Sequence, residues 1–196
     1  MIELVVIGAT LAIAAGASGA QARRRTLAAR TLERYARWRS HLYVPGAQRK
    51  DSPRVEGAKD EVAFTIDLVK IRGSLKTRVR APVSKGPSAK LAIVQRGALG
   101  RALRTRAADD VEVGIAAFDE AYRVHGMAPD EARAWLESSM ENLVMLDERS
   151  DVWLGSDGAT VTLAWSGVEM NPLLLDSARD VVVSLARWHR PEFPYR

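Results

Sequence analysis

From Leu4 to Ala22 the chain runs for 19 residues without a charge, and Arg23, Arg24 and Arg25 then end the run abruptly. As an α-helix the stretch reaches roughly 28 Å at about 1.5 Å per residue, close to the hydrocarbon thickness of a bilayer. Seven Ala and three Gly dilute two each of Leu, Val and Ile, so it is only moderately hydrophobic. It nevertheless shows no polar face, which a soluble helix of this length would carry. The run therefore predicts a single transmembrane helix at the head of the chain.

A cleaved signal peptide is the main rival, because Ala20-Gln21-Ala22 has the small-x-small form of a cleavage site. The start Met1-Ile2-Glu3 lacks the positive n-region of such a peptide, and the positive charges follow the apolar run instead. Arginines in that position keep the downstream chain in the cytoplasm. The expectation is an uncleaved single-pass anchor in the inner membrane with a cytoplasmic carboxyl-terminal domain and with Arg23, Arg24 and Arg25 against anionic lipid headgroups. Gly8, Ala12, Gly16 and Ala20 form a small-residue ridge at four-residue spacing, through which a homo-oligomer could assemble.

Residues 26–43 contain no Pro or Gly, so helix can continue. Leu27, Thr31, Tyr35, Trp38 and Leu42 recur every three or four residues, and Arg30, Arg34, Arg37 and Arg39 occupy much of the rest. This is the pattern of a basic amphipathic juxtamembrane helix whose aromatic face either meets lipid or packs on the domain. Val44 to Glu61, with two Pro and two Gly, reads as an irregular linker. The predicted organisation is an anchor over 1–25, a juxtamembrane helix and linker over 26–61, and a soluble α+β domain over 62–190.

Within that domain Val62, Phe64, Ile66 and Leu68 alternate with Ala63, Thr65 and Asp67, and Leu75, Thr77 and Val79 alternate with Lys76, Arg78 and Arg80. The short break at Gly73-Ser74 predicts an antiparallel hairpin with one strongly basic, solvated face. Leu91 to Val94 gives a third strand, and Phe118 to Val124 a short fourth one. Pro129 opens a helix whose buried face would be Ala132, Trp135, Leu136, Met140, Leu143 and Leu146. Val152–Gly155 and Ala159–Trp165 flank Ser156-Asp157-Gly158 as a hairpin. Pairing Gly155 with Ala159 would place Trp153 in the core with Val161, Leu163 and Trp165. Asn171 caps and Pro172 starts a last helix, with Leu174, Leu175, Ala178, Val181, Val182 and Leu185 inward. The expected fold is two-layered: a mainly antiparallel sheet and two packed helices.

The chain of 196 residues is 47% apolar and has no cysteine, which excludes disulfides, thiol nucleophiles and thiolate metal sites. Its three histidines lie far apart, and no phosphate loop, dinucleotide fingerprint, HExxH or GxSxG occurs. The clusters Asp109–Asp110–Glu112 and Asp119–Glu120 read as acidic surface or turn, Glu137–Glu141 as a solvated helix face, His125 as a strand-end or turn histidine and His189 as a cation at a helix end, while Ser138-Ser139 has no base nearby in sequence. No catalytic residue, cofactor or metal is implied. Charge is the stronger signal. Residues 1–106 carry 22 Lys/Arg against 7 Asp/Glu, and residues 107–196 carry 7 against 17, so +15 and −10 sum to +5. Such a split predicts either contact with an anionic surface or two halves that attract each other. The candidate interaction residues are Lys70, Arg72, Lys76, Arg78 and Arg80.

The series Gly114…Phe118-Asp119-x-x-Tyr122-Arg123-Val124, Pro129-x-x-Ala132-x-x-x-Leu136 and Val161-x-Leu163-x-Trp165, with Thr77-Arg78-Val79 before it, resembles uncharacterised bacterial membrane-anchored proteins. These pair N-terminal membrane helices with a soluble α+β domain, and the likeness covers roughly residues 62–190. It implies the anchor-plus-domain architecture and brings no activity or site residue with it. The function expected is a non-enzymatic, membrane-tethered domain that binds protein or anionic lipid. The alternatives are an enzyme whose site is assembled from distant residues, or nucleic-acid binding through the basic hairpin face. The last is disfavoured because RNA-binding sheets interleave outward aromatics with cations, and the hairpin offers only cations.

Overall fold

The computed structural model describes residues 23, 26–46, 52–71, 73–83, 91–97, 110–137, 139–146 and 148–187. The apolar run, the small-residue ridge, Arg24, Arg25 and Arg72 lie outside them, as do Asp109, Ser138, Trp188 and His189. No described helix is long and apolar enough to cross a membrane.

The domain is α+β. Its elements are α1 (26–39), β1 (Leu42–Val44), β2 (Arg54–Lys59), β3 (Val62–Ile71), β4 (Ser74–Pro82), β5 (Leu91–Gln95), α2 (Ala116–Ala121), β6 (Tyr122–His125), α3 (Pro129–Leu136), α4 (Met140–Val144), β7 (Trp153–Ser156), β8 (Thr160–Ser166) and α5 (Pro172–Arg187). Eight strands form one sheet in the order β1-β2-β3-β4-β8-β7-β5-β6, and every pairing is antiparallel.

The register aligns one paired row across all eight strands: Tyr43, Val55, Ile66, Val79, Leu163, Leu154, Ile93 and Val124. Seven of these side chains are buried, and Tyr43 packs at the edge of the same core. The helices cover this face. The stripe anticipated for α5, from Leu174 to Leu185, is fully inward, and α5 lies over β3, β4 and β8. Asn171 Oδ1 accepts from Leu173 N–H at 3.0 Å, as its capping position predicts.

Five described helices replace the two expected. Residues 26–43 do not continue as one helix, because Ser40 takes φ +55° and His41 N–H closes on Ala36 C=O at 2.8 Å, a left-handed stop. β1 begins at Leu42, inside the expected helix, and the presumed linker 44–61 supplies β2, joined to β3 by a two-residue turn in which Asp60 and Glu61 both have positive φ. In place of a strand from Phe118, residues 116–121 are helical. Asp119 accepts from the N–H groups of Val113, Gly114 and Ile115 at 2.9–3.0 Å, which fixes the turn before α2. The helix from Pro129 breaks near Ser139 into α3 and α4, yet all six anticipated residues are buried.

The β7–β8 hairpin exists but in a different register. Ser156 pairs with Val161, Gly155 with Thr162 and Trp153 with Ala164. Asp157 Oδ1 accepts from Ala159 N–H and Thr160 N–H, so the tight turn is centred on Gly158-Ala159. The odd offset reverses the face of every β7 side chain. Leu154 and Val152 enter the core, whereas Trp153 leaves it.

Candidate functional site

Two surfaces are left uncovered by the core. The first is the opposite face of the sheet. Two paired rows cross it: Leu42, Glu56, Thr65, Arg80, Thr162, Gly155, Ala92 and His125; then Val44, Arg54, Asp67, Arg78, Ala164, Trp153, Val94 and Arg123. Cations thus stand on β4 and β6 with a small apolar floor between them. Trp153 and Val94, each 38% exposed, occupy that floor. The indole lies over Gly155, where a Cβ would come within 2.5 Å of Trp153 Cζ2 and 3.0 Å of the Leu91 carbonyl oxygen. Glycine leaves room for the ring to lie on the strand backbone.

The basic row is not free charge. Asp67, directly across from Arg78, receives Arg78 Nε and Nη2 at 2.8 and 2.6 Å, and Arg80 Nη2 lies 3.4 Å away. Lys76 Nζ is 3.8 Å from Asp151. Lys70 pairs with Leu75 and so stands on the other face, at its exposed end. Of the five candidate residues the structure therefore brings together Lys76, Arg78 and Arg80, and adds Asp67 and Trp153. At the far edge Asp110, its side chain 2% exposed, lies 3.6–3.7 Å from Arg96, Arg123 and His125.

The second surface is the outer face of α1. Ala28, Leu32, Tyr35 and Ala36 pack inward, and a polar knot locks the helix to α5. Tyr35 Oη donates to Asp176 at 2.9 Å, Arg39 pairs with the same carboxylate, and Arg179 Nη1 reaches Asp176 Oδ1 at 2.8 Å. Arg179 Nε and Lys59 Nζ hold Asp180 at 2.8 and 2.7 Å. Burial above all pushes the Tyr35 phenol well above its ordinary value. Burial opposes ionisation of Asp180, but the hydrogen bonds from Arg179 and Lys59 outweigh it and hold the carboxyl below its usual range. His41 sits edge-on to Phe64 at 5.0 Å with Nε2 buried and unbonded; burial and then Arg179 push its imidazole below the ordinary value.

Facing outward on α1 are Leu27, Arg30, Arg34, Arg37 and Trp38. The expected aromatic face is thereby split: Tyr35 goes in, and Leu27 and Trp38 go out among the arginines. Leu42 lies on β1, 62% exposed. Arg23 is exposed.

Of the acidic residues read as surface or turn, Asp119 holds a turn by accepting from backbone N–H groups, whereas the Asp110 side chain is buried beside Arg96, Arg123 and His125. Ser139 is buried. Among the described residues no group of three or more His, Asp or Glu is placed to hold a metal ion. Two residues of this face were not legible as part of it. Trp153 was hidden by the hairpin register, for which the side chain of Asp157 was the available signal. Asp67 was hidden as a partner until the β3–β4 register set it opposite Arg78.

No family model and no curated protein matches the chain. Among solved structures it is similar to the mycobacterial trehalose monomycolate transport factor A, TtfA, with a TM-score of 0.52 and 14% identity over 83% of this chain and 94% of that one. At this identity the likeness concerns the fold.

Proposed function

We propose that the chain is a non-enzymatic, membrane-tethered domain at the cytoplasmic face of the inner membrane, where it binds anionic lipid or a protein partner. The observation that carries this reading is the integration of α1 into the domain. The helix beginning just after the apolar run and Arg23–Arg25 is not a slack tether, because Tyr35, Arg39, Asp176 and Arg179 fasten it to α5. A domain joined this way is held close to its anchor. The fold neighbour is described as a transport factor, and an accessory role of that general kind suits a chain that offers surfaces.

The test is fractionation of the full chain against a variant lacking residues 1–25. The intact protein should sediment with membranes and resist protease added outside intact cells, and the shortened one should appear in the soluble fraction. Solubility of the intact chain, or a mature protein that begins at Arg23, would sink the proposal.

Single-stranded nucleic acid is the alternative ligand, favoured by one observation: an outward Trp153 in the same row as Arg78 and Arg123. A salt-sensitive shift with RNA that Trp153→Ala abolishes would support it, and no shift at low salt would remove it.

A further inference from the structure

We infer that the outer face of α1 is a docking face for an anionic bilayer, so that the helix lies along the membrane surface and seats the domain on it. The inference rests on the tethering proposed above and names the surface that makes the contact.

Leu27, Arg30, Arg34 and Trp38 follow one another at spacings of three, four and four, which places them on one stripe, with Arg37 beside it. The opposite stripe is spent on the core. Arg30, Arg34 and Arg37 on the outer side are exposed. Glu33 takes up one of them, bonding Arg37 at 2.5 Å. Counting Arg23, Arg30, Arg34 and Arg37 against Glu33 leaves a charge of +3 on this side.

Apolar groups are exposed among the cations. Leu27 is 46% exposed and Trp38 51%. The Arg39 guanidinium stacks 3.7 Å from the Trp38 ring centroid while it also binds Asp176, so the indole is held in place beside the helix. The patch continues onto the start of α5: Met170 Sδ lies 3.2 Å from Thr31 Oγ1, and Met170 and Leu173 are 51% and 59% exposed. Cations interleaved with Leu, Met and Trp are the chemistry of an interfacial helix: guanidinium groups meet lipid phosphates while indole and aliphatic groups enter the headgroup boundary. The occupant follows from position and charge. The apolar run of the chain ends at Ala22, four residues before α1 begins, so the bilayer that takes up the run is the nearest large anionic surface.

The full chain, which has no cysteine, permits a single label at Leu27→Cys. It would be reconstituted in phosphatidylcholine vesicles with or without phosphatidylglycerol, carrying a lipid-borne spin label that quenches the fluorophore. Quenching should appear with phosphatidylglycerol and fall in high salt. It should also fall in Arg30→Gln/Arg34→Gln, the docking equilibrium dropping by about five-fold per cation removed. Protein that co-floats with the vesicles but stays unquenched would overturn the docking and leave the tether standing. Quenching that is equal in pure phosphatidylcholine and indifferent to charge would overturn the anionic contact. Failure to co-float in either lipid would overturn the tether and the docking together.

Discussion

At the scale of single residues, close approach and charge pairing decide what the open sheet face presents. Asp67 is nearly buried under Arg78 and Arg80, which stand two residues apart on one strand and repel each other without it. Asp67→Ala should lower stability by about 2 kcal/mol, read as a reduced urea midpoint at unchanged slope. Arg80→Ala, whose partner stays bound to Arg78, should cost under about 0.5 kcal/mol. Gly155→Ala drives a methyl into the Trp153 ring and toward the Leu91 carbonyl, and should cost about 1–2 kcal/mol. In a double-mutant cycle Trp153→Ala should recover part of that loss; strict additivity would show that the ring does not rest there. Gly155 and Trp153 are both plain in the sequence. That they share a face with Arg78 follows only from a pairing register.

At the scale of elements, the knot between α1 and α5 governs how firmly the first helix is held. Asp176→Ala leaves Arg39 and Arg179 without their shared carboxylate and should cost about 3 kcal/mol. It should also speed tryptic cleavage at Arg34, Arg37 and Arg39 relative to sites in the sheet, and uniform cleavage would show that α1 is held by its apolar stripe alone. The knot carries a pH signature. Tyr35 has a raised folded-state value, so its contribution is complete below the ordinary tyrosine value near 10 and is lost as the pH rises above it. Tyr35 should titrate well above the ordinary tyrosine value, read by the ultraviolet absorbance of the phenolate. Asp180 and His41 have depressed folded-state values, so their contributions are present above the ordinary values and are lost as the pH falls through the folded ones. Protease release of α1 should therefore increase as the pH falls below the ordinary histidine value of about 6.5, because the released segment takes up a proton that His41, buried near Arg179 and Arg39, resists. Long apolar stripes made α3, α4 and α5 legible. β2 was not, because its turn is Asp60-Glu61 with neither Gly nor Asn, and Gly57 interrupts it where a Cβ would meet Phe64 and His41 at 2.7–2.8 Å.

At the scale of the whole molecule, the charge asymmetry is at least partly satisfied within the chain. Arg39–Asp176, Lys59–Asp180 and Lys76–Asp151 join the basic first half to the acidic second, and Asp60–Arg187 does the reverse. The sheet divides near the same place: β1–β4 form one meander, β5–β8 the rest, with only β5 of the latter drawn from the basic half, and the two meet at the β4–β8 seam beneath α5. Cutting the chain between Gly86 and Pro87 gives pieces of 17 Lys/Arg against 7 Asp/Glu and 12 against 17, or +10 and −5. Co-expressed, they should co-purify as one complex through a shared apolar core and opposite charge. Two pieces that fold separately without associating would show that the seam is dispensable.

Local chemistry was enough to determine the α+β class, the first hairpin, the inward stripes of the later helices, the cap at Asn171, and an apolar run of membrane-spanning length. Each depends on periodicity or on a residue's own conformational preference, which neighbours in sequence express without help. Strand order, the β7–β8 register, the burial of Tyr35 with the exposure of Trp38, and the neutralising of Arg78 by Asp67 required the tertiary structure. These are matters of which distant residues come within a few ångströms. A one-step change in pairing, or a quarter-turn of a helix on its neighbour, reverses them while leaving every local preference satisfied.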